Sequence, residues 1–515
     1  MKADASGKVF LVGAGPGAVD LITVRGAEIL SRAEVVIYDS LVHPGLLRLA
    51  PTSAELIYAG KRGGAHTDLA QADINAMMIA HARKGLRVVR LKGGDPFIFG
   101  RGGEEAEALA AAGVEFEVVP GITSAIAVPA FAGIPLTHRE YGSFVAFVTG
   151  HEDAAKDASS VPWDDLARAA RGGGTIVILM GTARLRSIVK RLMDAGLAAA
   201  TPAAAIQWGT IANQKTVAST LATLADDVDR ARLGAPATVV VGPCANLREH
   251  LKWAERMPLF GRRIVITRAG ENASSFAREL RALGAEVIEF PTIETAPPDS
   301  YTALDAQIAR LDAFDWIIFT SATGVETFIA RLRTLGKDIR AMGKARIAAI
   351  GPATAGALKN FALTIDAMPT EYRGEAIVDA IGADRIRGAR ILIPRAQVAR
   401  EVLPQMLREH GAAEVVVAPA YKTIAPSGAA VDRMREAIAS GGYDLIAFTS
   451  SSTVSNFVDI TGKPGAGAKA AAIGPITAAT AEQFGFEVVV KPSEYTIAAL
   501  VAAIRDYFAS QAQAD

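Results

Sequence analysis

Cysteine is almost missing from this chain of 515 residues. Cys244 stands alone, so no internal disulfide and no thiolate metal cluster can form, and the usage fits a reducing compartment. Net charge is missing too. The 54 basic residues are balanced by 54 acidic ones with no Lys/Arg-rich run, which argues against nucleic acid or an anionic membrane as the main partner. No apolar run reaches the length of a membrane span, and the N-terminus lacks the basic-then-apolar pattern of a secretory signal. A soluble, cytoplasmic protein is therefore expected. Cys244, directly after Pro243, reads as a small apolar filler. The length is too great for one ordinary core and predicts about two to four domains.

What the chain has in quantity is glycine, and the densest cluster is Leu91–Glu105, LKGGDPFIFGRGGEE. Gly93, Gly94 and Pro96 break a strand that ends near Leu91, and Gly100, Gly102 and Gly103 delay the next helix until the acidic pair Glu104 and Glu105. Glycine is favoured where a ligand must approach the main chain or where φ is positive, and open α/β sheets bind ligands at the C-terminal edges of their strands. Around this loop KVFLVG, EVVIYD, RVVRLKG and TIVILMG read as strands, with helices predicted from Asp20 to Ser31, Thr67 to Lys84 and Arg101 to Ala112. The result is an α/β region from Lys8 to about Val241. The segment LREHLKWAERMPLFG that follows, ended by Pro258 and Gly261, reads as a short and rather stiff linker over 248–260.

Beyond the linker the sequence repeats itself. GRRIVITRAGENASSFARELRALGAEVIEFPTIET, from Gly261, matches GARILIPRAQVAREVLPQMLREHGAAEVVVAPAYKT, from Gly388, with Arg268 aligned to Arg395 and Gly284 to Gly411. Each copy continues into a second matching pair: FDWIIFTSATGVETF with IAAIGPATAGAL, and YDLIAFTSSSTVSNF with AAIGPITAATAEQFG. Two similar α/β lobes facing each other are expected, each a parallel sheet with helices on both faces.

GAGPG at Gly13–Gly17, the GGDP loop, PGITSA at Pro120–Ala125 and GIPLTHR at Gly133–Arg139 occur in an order that resembles the tetrapyrrole methylase family, and within it the uroporphyrinogen-III C-methyltransferases, over about Lys8–Leu247. Gly13, Gly15 and Gly17 also resemble a dinucleotide fingerprint, with Asp39 where a ribose-binding acid would sit. The spacing is G-x-G-x-G with Pro16 inside, however, whereas that fingerprint needs G-x-G-x-x-G. The methylase resemblance implies a cleft for S-adenosylmethionine against Pro16, Gly93, Gly94, Asp95, Ile98, Thr123, Ser124, Met180 and Gly209. It makes Asp39 and Lys61 the acid-base candidates, and it implies no metal. Asp39 as an N-cap or turn residue, and Lys61 as a solvated loop cation, are the alternatives. Lys61 or Arg62 could instead hold a carboxylate of the octa-acidic macrocycle, as could Arg101, His138 and Arg139, with His151 a weaker candidate.

The doubled lobes, their FTS and IGPxTA turns, and Tyr421 in PAYKT resemble uroporphyrinogen-III synthase over about Phe260–Phe508. This resemblance implies two flavodoxin-like parallel-sheet lobes that the chain crosses between twice: lobe one from 261–295 plus 423–515, and lobe two from 296–422. The repeat by itself suggests a single cut near Gly388. It also implies cyclisation of hydroxymethylbilane with ring D inverted and without a cofactor, Tyr421 being the weak acid that helps the hydroxyl leave. Carboxylates would be held by Thr320, Ser321, Thr449, Ser450 and Ser451, and by Gly351, Thr354, Gly474 and Thr477 at helix starts. These turns read equally well as plain N-caps.

The two resemblances together imply a bifunctional enzyme of siroheme or cobalamin precursor synthesis. It would be a methylase of residues 1–247, commonly a homodimer in its family, followed by a synthase of residues 261–515, making uroporphyrinogen III and methylating it twice to precorrin-2. The rivals are a methylase of another corrin or of RNA, and a C-terminal half that only senses a ligand.

Overall fold

The computed structural model describes residues 7–60, 70–151, 160–267, 271–370, 376–398, 401–426, 431–432, 435–436, 438, 441–465 and 467–511, the side chains of 271–274 excepted. Lys61, Arg62 and Arg268 lie outside the described residues. The chain divides into two compact units, one of Met1–Phe290, Ile438–Ser451 and Pro464–Asp515, the other of Pro291–Ala437 and Ser452–Lys463.

The first unit opens with an all-parallel sheet of β1 (Lys8–Gly13), β2 (Val35–Tyr38), β3 (Glu55–Tyr58), β4 (Arg87–Lys92) and β5 (Glu115–Val119), in the order β3-β2-β4-β1-β5. Its inner strands are covered on both faces, which is why Val9, Leu11, Val12, Val35, Val36 and Ile37 run together without a polar alternation. Neighbours β1 and β4 send their connections in opposite directions, β1 toward β2 and β4 toward β5. That reversal opens a crevice at their C-terminal ends, the place where such sheets take ligands. The helix expected over 20–31 is shorter, Val24–Leu30, because Thr23 caps it: its hydroxyl accepts the Gly26 N–H at 3.1 Å.

A second sheet joins β6 (Val145–Thr149), β7 (Thr175–Leu179), β8 (Pro202–Gln207), β9 (Lys215–Thr220) and β10 (Ala237–Val241) in the order β6-β7-β10-β8-β9, with β6–β7 parallel and the other pairs antiparallel. Cys244 is fully buried just beyond it, as an apolar filler should be. The segment 248–260 is no free tether. Trp253 Nε1 donates to the Ala130 carbonyl at 2.9 Å and Arg248 to that of Ala132 at 2.6 Å, while Leu259 is buried in the core of the next sheet.

The remaining strands are β11 (Arg263–Ile266), β12 (Glu286–Glu289), β13 (Glu294–Ala296), β14 (Trp316–Phe319), β15 (Arg346–Ala349), β16 (Arg390–Ala396), β17 (Glu414–Ile424), β18 (Leu445–Phe448), β19 (Lys469–Ala472) and β20 (Glu487–Val490). Lobe one runs β12-β11-β18-β19-β20, all parallel. Lobe two runs β13-β17-β16-β14-β15, with β13 antiparallel and a parallel bridge from Ala348 to Ala367 beyond β15. Counted from the first strand of each repeat copy, both sheets have the order second, first, third, fourth, which is flavodoxin-like. The third and fourth strands of each copy thus lie in the sheet opened by the other copy. The likeness extends to single hydrogen bonds: the Arg263 N–H donates to Asp444 at 2.7 Å in lobe one, and the Arg390 N–H to Asp315 at 2.9 Å in lobe two. Among the described residues no helix is long and apolar enough to cross a membrane.

Candidate active site

The crevice at the ends of β1, β4 and β5 is built from bare main chain. Gly15 and Gly94 exchange hydrogen bonds at 3.2 and 2.7 Å. A Cβ on Gly121 would stand 2.2 Å from the Gly94 carbonyl, and one on Gly13 would stand 2.4 Å from the Gly121 Cα. Only glycine fits where three backbones meet this closely. Asp95 locks the loop by accepting the Phe97 and Ile98 N–H groups on Oδ1 and the Gly121 N–H on Oδ2, at 2.8, 3.2 and 2.9 Å. The next expected positions follow directly, since Gly94 abuts Thr123 and Ser124 and Thr123 caps the helix Ser124–Phe131. Gly209 packs on Val128 of that helix, and Thr210 beside it accepts the Ala18 N–H at 3.0 Å, which closes the circuit back to the Pro16 loop. The structure therefore brings Pro16, Gly93, Gly94, Asp95, Thr123, Ser124 and Gly209 into one ring. Met180 directly follows β7, whose last residue Leu179 packs on Ala125.

Backbone strain gathers at the same place. Of the seven described non-glycine residues with positive φ, Phe99, Arg101, Met180, Trp208 and Thr210 all sit on these loops. Such outliers persist where the surroundings hold them, and they concentrate at ligand clamps. Ile98, Met180 and Trp208 are also exposed, an apolar lining on a site whose floor is polar main chain. These features suit a ligand held by main-chain groups and apolar contacts.

Asp39 stands beside the ring. Its Oδ1 accepts the Leu41 N–H at 3.0 Å, Oδ2 faces the Gly93 N–H at 3.5 Å, and Arg90 lies 3.9 Å away. Beneath it is a buried charge network that the sequence reading missed. Glu105 Oε1 accepts from Arg90 at 3.0 Å, Lys92 at 2.9 Å and Gln71 at 3.2 Å, all three charged side chains being buried. Burial, followed by the neighbouring Arg90 charge, pushes the Lys92 ammonium below its ordinary range against the pull of Glu105 and Asp39. The signal was in the sequence: Arg90 and Lys92 interrupt a strand that otherwise reads as a continuous apolar run. The helix predicted from Arg101 to Ala112 runs over Gly102–Ala111, so it opens ahead of the acidic pair Glu104 and Glu105. It starts at Gly102, because Arg101 adopts φ +58 at its N-cap, and Glu105 points inward.

The expected carboxylate-binding residues are scattered. Arg101 is paired with Glu104 at 2.6 Å on the surface, a contact weak enough to exchange for a substrate. Arg139 is exposed on the turn closed by His138 and Gly142, whereas His138 accepts the Glu140 N–H and stacks on Tyr141. The His151 N–H donates to Thr149 at 3.2 Å, as an ordinary turn residue would.

In lobe two, Tyr421 on β17 meets Ser321, with 3.0 Å between the hydroxyls, and Ser321 caps the helix Ala322–Thr334 by accepting the Gly324 N–H at 3.0 Å. Thr320 precedes it at the end of β14, and Thr449, Ser450 and Ser451 follow β18 in the matching turn of lobe one. Thr354 and Thr477 follow the Gly-Pro starts of the matching helices. Both hydroxyl residues are buried in the first turns of the helices Pro352–Lys359 and Pro475–Gln483, so the N-cap glycines Gly351 and Gly474, with no side chain over the helix end, leave backbone N–H groups as the available donors there.

Parallel sheets with a glycine crevice at the switch point, followed by a doubled flavodoxin-like fold, define a ligand-binding α/β class. Comparison with known proteins is more specific. The family model described as tetrapyrrole (corrin/porphyrin) methylases matches residues 8–225, and that described as uroporphyrinogen-III synthase HemD matches 274–502. A porphyrin biosynthesis protein HemD of Ruminiclostridium josui is 37% identical over 486 residues, 94% of this chain and 95% of its own. An S-adenosyl-L-methionine-dependent uroporphyrinogen III methyltransferase of Methanosarcina barkeri is 51% identical over 245 residues, 48% of this chain and 94% of its own. A crystal structure of a Thermus thermophilus uroporphyrin-III C-methyl transferase with S-adenyl homocysteine aligns at TM-score 0.40 and 35% identity, over 47% of this chain and 99% of that one. The chain belongs to the tetrapyrrole methylases in its N-terminal half and to the uroporphyrinogen-III synthases in its C-terminal half.

Proposed function

We propose that the C-terminal half cyclises hydroxymethylbilane to uroporphyrinogen III with ring D inverted, and that the N-terminal half methylates this product twice to precorrin-2. The observation that carries the methylase reading is the glycine ring with Asp39 at its rim. The dependence stated for the M. barkeri relative supports S-adenosylmethionine as methyl donor. When bound, that group supplies an electrophilic methyl on a sulfonium. The bare main chain of Gly13, Gly94 and Gly121 lets it approach closely, and Pro16, Ile98 and Met180 exclude water around it. A pyrrole carbon donates the electron pair of the new C–C bond as the S–C bond breaks, and a ring proton must then leave. Asp39, oriented by Leu41 N–H, is the base we assign for that proton, with Lys61 the other candidate for the same role. Arg101 and Arg139 would hold carboxylates of the macrocycle.

In the synthase half the leaving hydroxyl needs one proton. The Gly324 N–H occupies one lone pair of Ser321 Oγ, so Ser321 can donate its own proton to the phenol oxygen, which frees the Tyr421 O–H for the substrate. The rest is folding a flexible chain into the cyclising geometry, with Thr320, Ser321, Ser450 and Ser451 on its carboxylates. We further infer a cytoplasmic homodimer joined through the methylase half. The reading is tested by Asp39→Asn: methylation of supplied uroporphyrinogen III should fall about a hundredfold while S-adenosylhomocysteine still binds by calorimetry. Unchanged turnover would remove Asp39 from the mechanism, and a parent chain that binds no S-adenosylhomocysteine would remove the methylase reading.

A further inference from the structure

The carboxylates that open β12 and β17 occupy one place in the repeat, Glu286 opposite Arg263 in register and Glu414 opposite Arg390. They are answered differently. Glu414 is met within its own lobe by Arg310 at 2.5 Å. Glu286 stands 3.5 Å from Arg263, and its other partners come from the methylase half: Oε2 accepts the Ala212 N–H at 2.9 Å, and His43 Nε2 lies 3.5 Å from Oε1. His43 Nδ1 accepts the Gly45 N–H at 3.0 Å, so the proton of the neutral ring sits on Nε2, facing Glu286.

Both partners are close in sequence to the reacting groups. His43 is in the loop that carries Asp39, and Ala212 follows Gly209 and Thr210, the latter holding Ala18 of the Pro16 loop. One carboxylate from lobe one therefore ties the base-bearing loop of the first methylase sheet to the cofactor-side loop of the second. Burial pushes the Glu286 carboxyl up, yet His43, the Ala212 N–H and Arg263 together hold it below its ordinary range, so it stays charged. Arg48, five residues beyond His43, also bonds the Glu289 carbonyl and approaches its carboxylate at 3.6 Å, covering the β12 edge.

We propose that Glu286 is a positioning residue for methyl transfer, supplied by the synthase half, which sets the spacing of the Asp39 and Gly209 loops. The proposal rests on the methyl-transfer reading above. Removing the carboxylate leaves the Ala212 N–H and Arg263 without that partner and the two loops without their shared anchor.

The test uses the full chain. Glu286→Ala should raise the KM for S-adenosylmethionine and lower kcat, together about tenfold or more in kcat/KM, and Glu286→Gln, which keeps an acceptor for Ala212, about threefold. Hydrogen exchange should quicken over 39–49 and 208–214 in both variants. Glu286 is at the N-terminal end of β12, away from the turns that follow the strands, so conversion of hydroxymethylbilane should persist and serves as the folding control. In a double-mutant cycle, His43→Ala should add less to Glu286→Ala than it costs in the parent. Should Glu286→Ala fail to fold, Glu286→Gln decides. A folded variant with methyl-transfer constants and loop exchange within about twofold of the parent overturns the proposal and leaves the methylase reading standing. A parent that binds no S-adenosylhomocysteine overturns both.

Discussion

Lobe one and lobe two are built from the same repeat and share strand order, the Arg-to-Asp hydrogen bond at the sheet's head and the Gly-Pro helix start, but two of the positions at which they differ bear on the sites. The second copy has Tyr421 where the first has Ile293, and Glu414 is satisfied inside lobe two whereas the matching Glu286 is turned over to the methylase half. A duplicated scaffold keeps the interactions that form its sheets and frees the positions that do not. One such position has become the candidate acid, and another an anchor for a neighbouring enzyme.

The first asymmetry can be broken most sharply. Tyr421→Phe should lower formation of the III isomer about tenfold or more by removing the proton donor, with methylation of supplied uroporphyrinogen III untouched. Isomer analysis of the products checks this.

The second asymmetry predicts that Glu414→Ala, unlike Glu286→Ala, leaves the methylation constants within about twofold of the parent. Equal losses in the two variants would mean that both carboxylates act only through general stability. Acid sharpens the same contrast. The folded-state pKa of Glu286 lies below its ordinary value of 4.5, so its contribution is fully present above that value and is lost as pH falls through the lower folded value. The groups facing it are His43, Arg263 and the Ala212 N–H. Amide protection over 39–49, corrected for the intrinsic pH dependence of exchange, should therefore fall below about pH 4.5 in the parent and show no such step in Glu286→Gln.

The smallest expected effect is on Ser321. Replacing it by Ala removes an N-cap and should cost about 1 kcal/mol in denaturant unfolding. If the hydroxyl also directs Tyr421, the rate of III formation falls further than stability alone explains.

Much of this was legible in the sequence because it is written in backbone requirements. Gly13 and Gly121 leave no room for a Cβ, and Gly94 adopts φ +69, which a side chain would strain. The doubled lobes were legible because strand and turn residues recur in register. Side-chain partnerships between distant segments were not. Nothing in the sequence tells Glu286 from Glu414, since the difference lies in which segment happens to fold against each. Glu105 was read as a helix-start acid because it follows the glycines that delay the helix, and only the path of β4 places two buried cations beneath it. Thr354 and Thr477 were legible as helix-start residues, but the direction of their side chains was not.

On the proposed function, one chain makes uroporphyrinogen III and then methylates it. The most direct test gives the purified chain hydroxymethylbilane with and without S-adenosylmethionine and identifies the macrocycle by mass and isomer. Uroporphyrinogen III is expected without the methyl donor and a dimethylated product with it. Isomer I without the donor, the outcome of spontaneous closure, would contradict the synthase assignment, and an unmethylated product with it would contradict the methylase.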